Sequence, residues 1–296
     1  MLSVSKLFNA LPGGLAEGFI WGIMALGIYI TFRILKVSDL TVDGSFATGG
    51  ATCVVLIHLG VSTPLALVIS FFAGILVGTI TGLIHTKLKI PAILSGILVQ
   101  FALFSINLHI MSMKANVSIN PDNYNLVISM RNIPKSIIVG AILSIVLVVA
   151  LYWYFGTAQG SAIRATGNSN QMATAQGVNI DTMKVIGFGL GNGLVALSGA
   201  LLGQYQGYSD ISMGRGAIVI GLAAIIIGEG ICDLFFKKGC SFYTRLAFVI
   251  VGGIIYKLVM VLILWLRVDT NDLKLFTAII VMIFLSIPYL KKKGSE

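Results

Sequence analysis

Gly156 to Lys184 reads GTAQGSAIRATGNSNQMATAQGVNIDTMK, a polar island between long apolar runs. A bilayer core cannot accept that many unpaired amides and hydroxyls, so the island must lie in water. Yet it is short and rich in Ala, Gly and Met, which is unusual for a solvated loop. It reads as a small docking element carried by an integral membrane protein.

The sequence on either side supports that fold class. The chain is 57% hydrophobic and 10% charged, with a mean hydropathy of +0.97, far from an ordinary soluble domain. Crossing a bilayer as a helix takes about 20 apolar residues. Nine stretches approach that length: 15–35, 40–60, 63–86, 90–111, 135–155, 184–203, 214–231, 243–266 and 273–290. The second and seventh begin with polar residues. The expected fold is therefore an all-α polytopic membrane protein, one transmembrane domain over residues 1–296 with the island at 156–184 inside it. Leu2 to Pro12 has no charged start ahead of an apolar run, so no cleavable signal peptide is expected. Gly14, Gly18 and Gly22, like Gly74, Gly78 and Gly82, repeat every four residues. Each set bares one helix face, for packing within the subunit or against another.

The net charge of +9 does not point to nucleic acid, because the basic residues gather at span ends. If the island is cytoplasmic, so are Arg33, Lys36, Lys87, Lys89, Lys237, Lys238 and Lys291 to Lys293. With Arg164, Lys184 and Arg245 these are 12 of the 20 Lys and Arg residues. Seven fall outside: Lys6, Lys114, Arg131, Lys135, Arg215, Arg267 and Lys274. The bias fits the positive-inside rule and sets the N-terminus outside and the C-terminus inside. The excess charge then faces anionic lipid. Cys53, Cys232 and Cys240 have no metal or redox spacing, and His58, His85 and His109 lie near different span ends. No metal site is expected. Asn116-Val117-Ser118 matches a glycosylation acceptor, a short and weak pattern.

An internal repeat stands at an offset of 171 residues. Ser38-Asp39-Leu40-Thr41-Val42-Asp43-Gly44-Ser45 resembles Ser209-Asp210-Ile211-Ser212-Met213-Gly214-Arg215-Gly216, and each runs on into an apolar stretch. In the expected topology the two copies cross the membrane in opposite directions, as in inverted-repeat transporters. Each polar segment opens a helix, and Asp or Ser there can cap free N–H groups. A helix start at membrane depth survives when it is buried in protein or lines water, and it offers partial positive charge to a polar solute. Asp39, Thr41, Asp43 and Ser45 are therefore expected on one side of a translocation route. Ser209, Asp210, Ser212 and Arg215 are expected on the other. Helix capping in ordinary loops would account for each residue singly.

Other polar residues fall inside spans. Gln100 and Asn107 could line the route or hydrogen-bond across helices. Lys257 either pairs with a carboxylate or solute, or snorkels to an interface. Glu17 is expected at an interface. Glu229 either contacts a partner or caps a helix end. No phosphate-binding loop, zinc-protease motif or nucleophile elbow is present. No catalytic residue is expected, and ATP-driven work would need an ATPase on another polypeptide.

The island also carries a resemblance. Gly160, Ala162, Arg164-Ala165, Ala173 and Gly177-Val178 are spaced as in the cytoplasmic coupling segment of bacterial ABC importer permeases of the branched-chain amino acid and ribose type. The similarity continues through Leu197 to Gly203 and Ile227-Gly228-Glu229-Gly230. Asp39 to Phe46 resembles a subgroup tied to tryptophan or tyrosine uptake. The resemblance implies a permease subunit in the bacterial plasma membrane that imports an amino acid or similar polar solute. It implies a second permease copy in a homodimer, cytoplasmic ATPase subunits holding ATP and Mg, and an extracytoplasmic solute-binding protein. It makes Gly160, Arg164, Ala165, Asn168, Ala173 and Gly177 the coupling residues. Asn168 to Ala175 can form one short helix capped by Asn168, Ser169 or Asn170, with Gly177 ending it. The chain departs from the family at Phe235 to Cys240, where aromatics and lysines replace a glycine-rich pattern. The rival readings are an autonomous secondary transporter, with Asp39, Asp43, Asp210 and Lys257 as coupling groups, and a membrane-embedded scaffold.

Overall fold

The computed structural model describes residues 4–236 and 240–266, together with Leu275, Phe276, Ala278, Ile279 and Met282. The expected span 273–290, apart from those five positions, lies outside the described residues. So do Lys237, Lys238, Arg267, Lys274 and Lys291 to Lys293.

Seven helices are long and apolar enough to cross a bilayer. They are α1 (Val4–Tyr29, continued by a π-helical turn at Ile30–Ile34), α3 (Thr63–Lys87), α4 (Ala92–Ile110), α5 (Ile133–Gly156), α8 (Ile180–Gln206), α9 (Ala217–Phe235) and α10 (Phe242–Trp265). The second expected span is α2 (Val42–His58), 17 residues, about 25 Å at 1.5 Å per residue. That falls short of the roughly 30 Å hydrocarbon core, and α2 is enclosed by its neighbours instead of facing lipid. Two short helices fill the island, α6 (Ala158–Asn168) and α7 (Asn170–Ala175).

Local sequence sets the boundaries. Pro64 and Pro134 sit in the first turns of α3 and α5, where a missing N–H costs nothing. Asn179 and Ser241 cap α8 and α10, accepting from Thr182 N and Thr244 N. Gly207, at φ +78°, ends α8.

The bundle is layered. In α1 and α8, 78% and 83% of the apolar stretch is buried, against 28–39% in α3, α4, α5, α9 and α10. The inner helices form a core around Met24, Phe46, Val195 and Tyr205. The outer ones expose Phe72, Leu76, Ile138 and Ile142, as a lipid-facing surface requires. Both glycine stripes pack within the subunit. A side chain at Gly18 would come within 2.7 Å of Ile254 Cα on α10, and one at Gly78 would strike the Phe188 carbonyl on α8. Close backbone approach is what small residues permit in apolar surroundings.

The two ends of the bundle differ. At the island end, the close of α1 and the start of α10 meet α6, and Lys87 meets Asp181 and Thr182 across a small cleft. At the far end, β1 (Asn116–Ser118) pairs antiparallel with β2 (Tyr208–Asp210), with Val117 opposite Ser209. His58 Nε2 there lies 2.9 Å from the Ser118 carbonyl oxygen, and Tyr205 Oη donates to Gly13 O. α1 thus ends at the island face, and α8 ends at the face opposite.

Candidate functional site

The short helix expected between Asn168 and Ala175 is α7, capped by Ser169, and a second helix that was not expected, α6, precedes it. Thr157 Oγ1 accepts from Gly160 N to cap α6, and Ser169 Oγ accepts from Met172 N to cap α7. Ser169 is extended, at φ −155°, which breaks the helical path between them. Gly160, Ile163 and Thr166 form a buried inner face on α6. A Cβ at Gly160 would strike Tyr154 O, which fixes how closely α6 folds back on α5. Ala165, Asn168 and Gly177 are exposed, while Ala173 is buried and Met172 projects. Gly177 has φ +78°, a left-handed turn that glycine adopts without strain. The Arg164 guanidinium lies 5.0 Å from the centre of the Phe242 ring, so the side chain turns back toward α10.

The repeated polar segments form the same turn. Asp39 Oδ1 accepts from Thr41 N at 2.9 Å, and Asp210 Oδ1 accepts from Ser212 N at 2.7 Å. These are Asx turns, which tie a carboxylate to the backbone two residues on. The copies also touch. Asp43 Oδ2 accepts from Gly216 N and its Oδ1 from Ile218 N. A carboxylate of the first segment thus caps the helix that follows the second, and the starts of α2 and α9 meet.

The ten expected route residues separate into groups. Asp39, Thr41 and Ser45 are buried in a polar network. Asn192 Nδ2 donates to Asp39 Oδ2 at 2.6 Å and to Phe188 O at 3.0 Å, and Asn192 Oδ1 accepts from Ser45 Oγ at 2.6 Å. Thr41 and Thr81 share a 2.9 Å hydroxyl contact. Burial pushes the Asp39 carboxyl above its usual range, opposed by the hydrogen bonds from Thr41 and Asn192. Asp43, Gln100, Asn107 and Arg215 line one cleft of about 560 Å³, with Gly44, Phe101, Phe104 and Ile211. Asn107 is 1% exposed, and its Oδ1 has no partner among the described residues. Asp210 and Ser212 line a separate opening beside Trp21 and Tyr208. Ser209 is buried, its hydroxyl against Met213 Sδ.

Sequence reasoning missed Asn192, Thr81 and the disulfide between Cys232 and Cys240. Gly191-Asn192-Gly193 in the middle of an apolar span was the available signal for Asn192. The pairing joins Cys232 at the end of α9 to Cys240 just ahead of α10, eight residues on, a structural role rather than a metal site. The two readings of Lys257 are decided by its 2.9 Å contact with Glu17 Oε2, with the ammonium also 4.4 Å over the Trp21 ring. Glu229 pairs with Arg33 at 2.8 Å.

The model of the branched-chain amino acid transport system permease component matches residues 11–286. The chain belongs to this ABC permease family. The permease is 36% identical over 276 residues to a tyrosine transport system permease protein of Clostridioides difficile, covering 92% of this chain and 89% of that one. It is 31% identical to an uncharacterized protein of Rickettsia prowazekii, covering 94% and 97%. A ribose import permease protein of Haemophilus influenzae is 25% identical, covering 84% and 76%. No solved structure matches. With seven membrane-length helices, the permease is a multi-pass protein of a bacterial plasma membrane.

Proposed function

We propose that the permease is the membrane subunit of an ATP-driven importer that carries an amino acid with an aromatic side chain into the cytoplasm. The observation that carries the reading is the cleft where α2 and α9 begin. Its volume of about 560 Å³ lies within the range of small-molecule sites. Its groups complement a zwitterion. Arg215 offers a guanidinium to a carboxylate, and the unpartnered Asn107 Oδ1 offers an acceptor to an ammonium. Phe101 and Phe104 give an apolar, aromatic wall. Likeness to a tyrosine transport permease favours the same solute class.

The rest of the reading follows. The reading keeps nine membrane segments: the seven long helices, the enclosed α2, and the apolar sequence stretch 273–290. The Asx turns at Asp39 and Asp210 belong to an inverted repeat whose helix starts meet through Asp43. The island lies in the cytoplasm. The projecting α6 and α7 dock ATPase subunits that hold ATP and Mg, since the chain has no nucleotide-binding motif. Gly160 and Ala173 seat the two helices on the bundle, and Ala165, Asn168 and Gly177 lie on the side open to a partner. A second copy completes the pathway as a homodimer, and an extracytoplasmic binding protein delivers the solute. The permease supplies no cofactor of its own.

Copurification tests the partnership, and uptake tests the solute. The permease should copurify an ATPase subunit from its native membrane, and Gly177→Val should reduce the yield of that subunit. Uptake of labelled tyrosine in vesicles should require ATP inside. Uptake on an ion gradient alone would instead establish a secondary transporter.

A further inference from the structure

A depression of about 790 Å³ opens beside α6, lined by the end of α1 and the start of α10. Arg33, Lys36, Arg164 and Arg245 converge on it. One carboxylate, Glu229, answers Arg33. Among the described residues, Lys36, Arg164 and Arg245 meet no acid. That leaves three cations on one depression with no acid to balance them, a local positive potential that favours an anion.

The depression has the features of a built site. Tyr29 is 3% exposed overall, and its hydroxyl, which no described residue engages, opens onto the depression. Lys36 has φ +55°, a left-handed conformation that costs a residue with a Cβ about 1–2 kcal/mol. That turn brings its side chain to the cluster instead of continuing the helix. The Cys232–Cys240 bridge and the stacking of Arg164 on Phe242 hold the opposite wall.

The surroundings fix the depth. Tyr152, Trp153 and Tyr243 are exposed at the same end of the bundle, Tyr152 and Tyr243 edge to face at 5.7 Å. Exposed tyrosine and tryptophan at a span end mark the headgroup layer. Arg245 lies two residues beyond Tyr243, so the cations sit where lipid phosphates are. Guanidinium forks match phosphate oxygens in pairs.

We propose that this depression binds the phosphate of an anionic phospholipid headgroup, with Arg164, Arg245 and Lys36 as the charge partners and Tyr29 Oη as a neutral donor. Basic pockets between spanning helices on the cytoplasmic side suit such headgroups. Bound lipid would brace α6 against α1 and α10, which ties the island to membrane composition. The site does not depend on which solute is carried, and it shares Ala165 and Asn168 with the face proposed for the ATPase.

The full chain is placed in nanodiscs of zwitterionic lipid containing a minority of cardiolipin. Cardiolipin kept through detergent extraction is then counted by native mass spectrometry. Arg245→Gln and Lys36→Gln should each lower retention about fivefold, the effect of about 1 kcal/mol per basic side chain at an anionic surface. Tyr29→Phe should lower it with no change of charge. Lys87→Gln combined with Lys89→Gln removes two charges from the same face elsewhere and should leave retention unchanged. Melting temperatures confirm that each variant is folded, and Tyr29→Phe retains the packing if Arg245→Gln does not. Equal loss in the Lys87 and Lys89 control, or full retention in Arg245→Gln, overturns the proposal. Displacement of the lipid by inorganic phosphate, beyond that by chloride at equal ionic strength, would assign the site to a soluble phosphate and overturn the lipid assignment. Loss of a copurifying ATPase with lipid retention intact would assign the depression to an acidic partner segment.

Discussion

Asn192→Ala removes the centre of the buried network. Its amide donates at 2.6 Å to Asp39 Oδ2 and accepts at 2.6 Å from Ser45 Oγ. A hydrogen bond to an ionised group contributes about 1.5–3 kcal/mol, and a neutral one about 1 kcal/mol. Asn192 is 1% exposed and Asp39 2%, so water does not replace the lost partners. The expected cost is about 2.5–4 kcal/mol with Asp39 ionised. The cost should depend on pH. The Asn192 hydrogen bond lowers the Asp39 pKa against burial, so its removal raises that pKa further. Acid neutralises Asp39, the charged bond becomes an ordinary one, and the penalty should shrink toward about 2 kcal/mol. Unfolding in detergent, followed by tryptophan fluorescence across a pH series, measures this. Asp39→Ala combined with Asn192→Ala should cost less than the two single changes added. A penalty below about 1 kcal/mol at neutral pH, a penalty that grows on acidification, or strict additivity would each refute the network.

Four further outcomes follow. Burial raises the folded Asp39 pKa, so the stability Asp39 contributes is greatest below the usual carboxylate range and is lost as pH rises through the folded value; Asp39→Asn should flatten that decline in the same pH series. Lys257→Met strands the partly buried Glu17 carboxylate and should destabilise by about 1–3 kcal/mol, and adding Glu17→Gln should restore most of the loss in a thermal melt. Cys232→Ser opens an eight-residue loop and should cost about 2.5 kcal/mol on the loop-entropy estimate, read by chemical unfolding with and without reductant. Gly78→Leu drives a side chain into the Phe188 backbone and should lower the yield of folded protein, as overpacking of about 1–3 kcal/mol does.

Much of the fold was legible in the sequence because lipid imposes a simple rule. Long apolar runs must be helices, and five of the described spans, 63–87, 92–110, 133–156, 180–206 and 242–265, lie within a few residues of expectation. The second, expected at 40–60, is the helix Val42–His58, too short for a full crossing. Thr41 and Asp43 belong to a buried turn and a capping contact, so α2 begins inside protein and needs no full crossing length. Nothing before Pro12 signalled that α1 begins as early as Val4. The short helix of the island and its cap at Ser169 were legible, although three candidate caps in a row could not be ranked by type alone; α6 before it was not, since its cap at Thr157 lies at the end of an apolar run.

The candidate route residues stood out in the sequence as polar outliers beside or within apolar runs, and four of them share one cleft. Their partners were not, because contacts at sequence separations such as 153 for Asn192 with Asp39 or 240 for Lys257 with Glu17 leave no local trace. Arg164 was expected among the coupling residues. Its place over Phe242 depends on where α10 begins, which no pattern within the island encodes.

The most direct measurement is uptake of labelled tyrosine by vesicles holding the permease with the proposed ATPase and binding protein, with Arg215→Ala beside the natural chain. ATP-dependent uptake that Arg215→Ala lowers about tenfold or more, as loss of a paired charge in a solute site predicts, while ATPase copurification stays intact, is the expected result. Uptake that proceeds on an ion gradient without ATP, or that is indifferent to Arg215, would contradict the account.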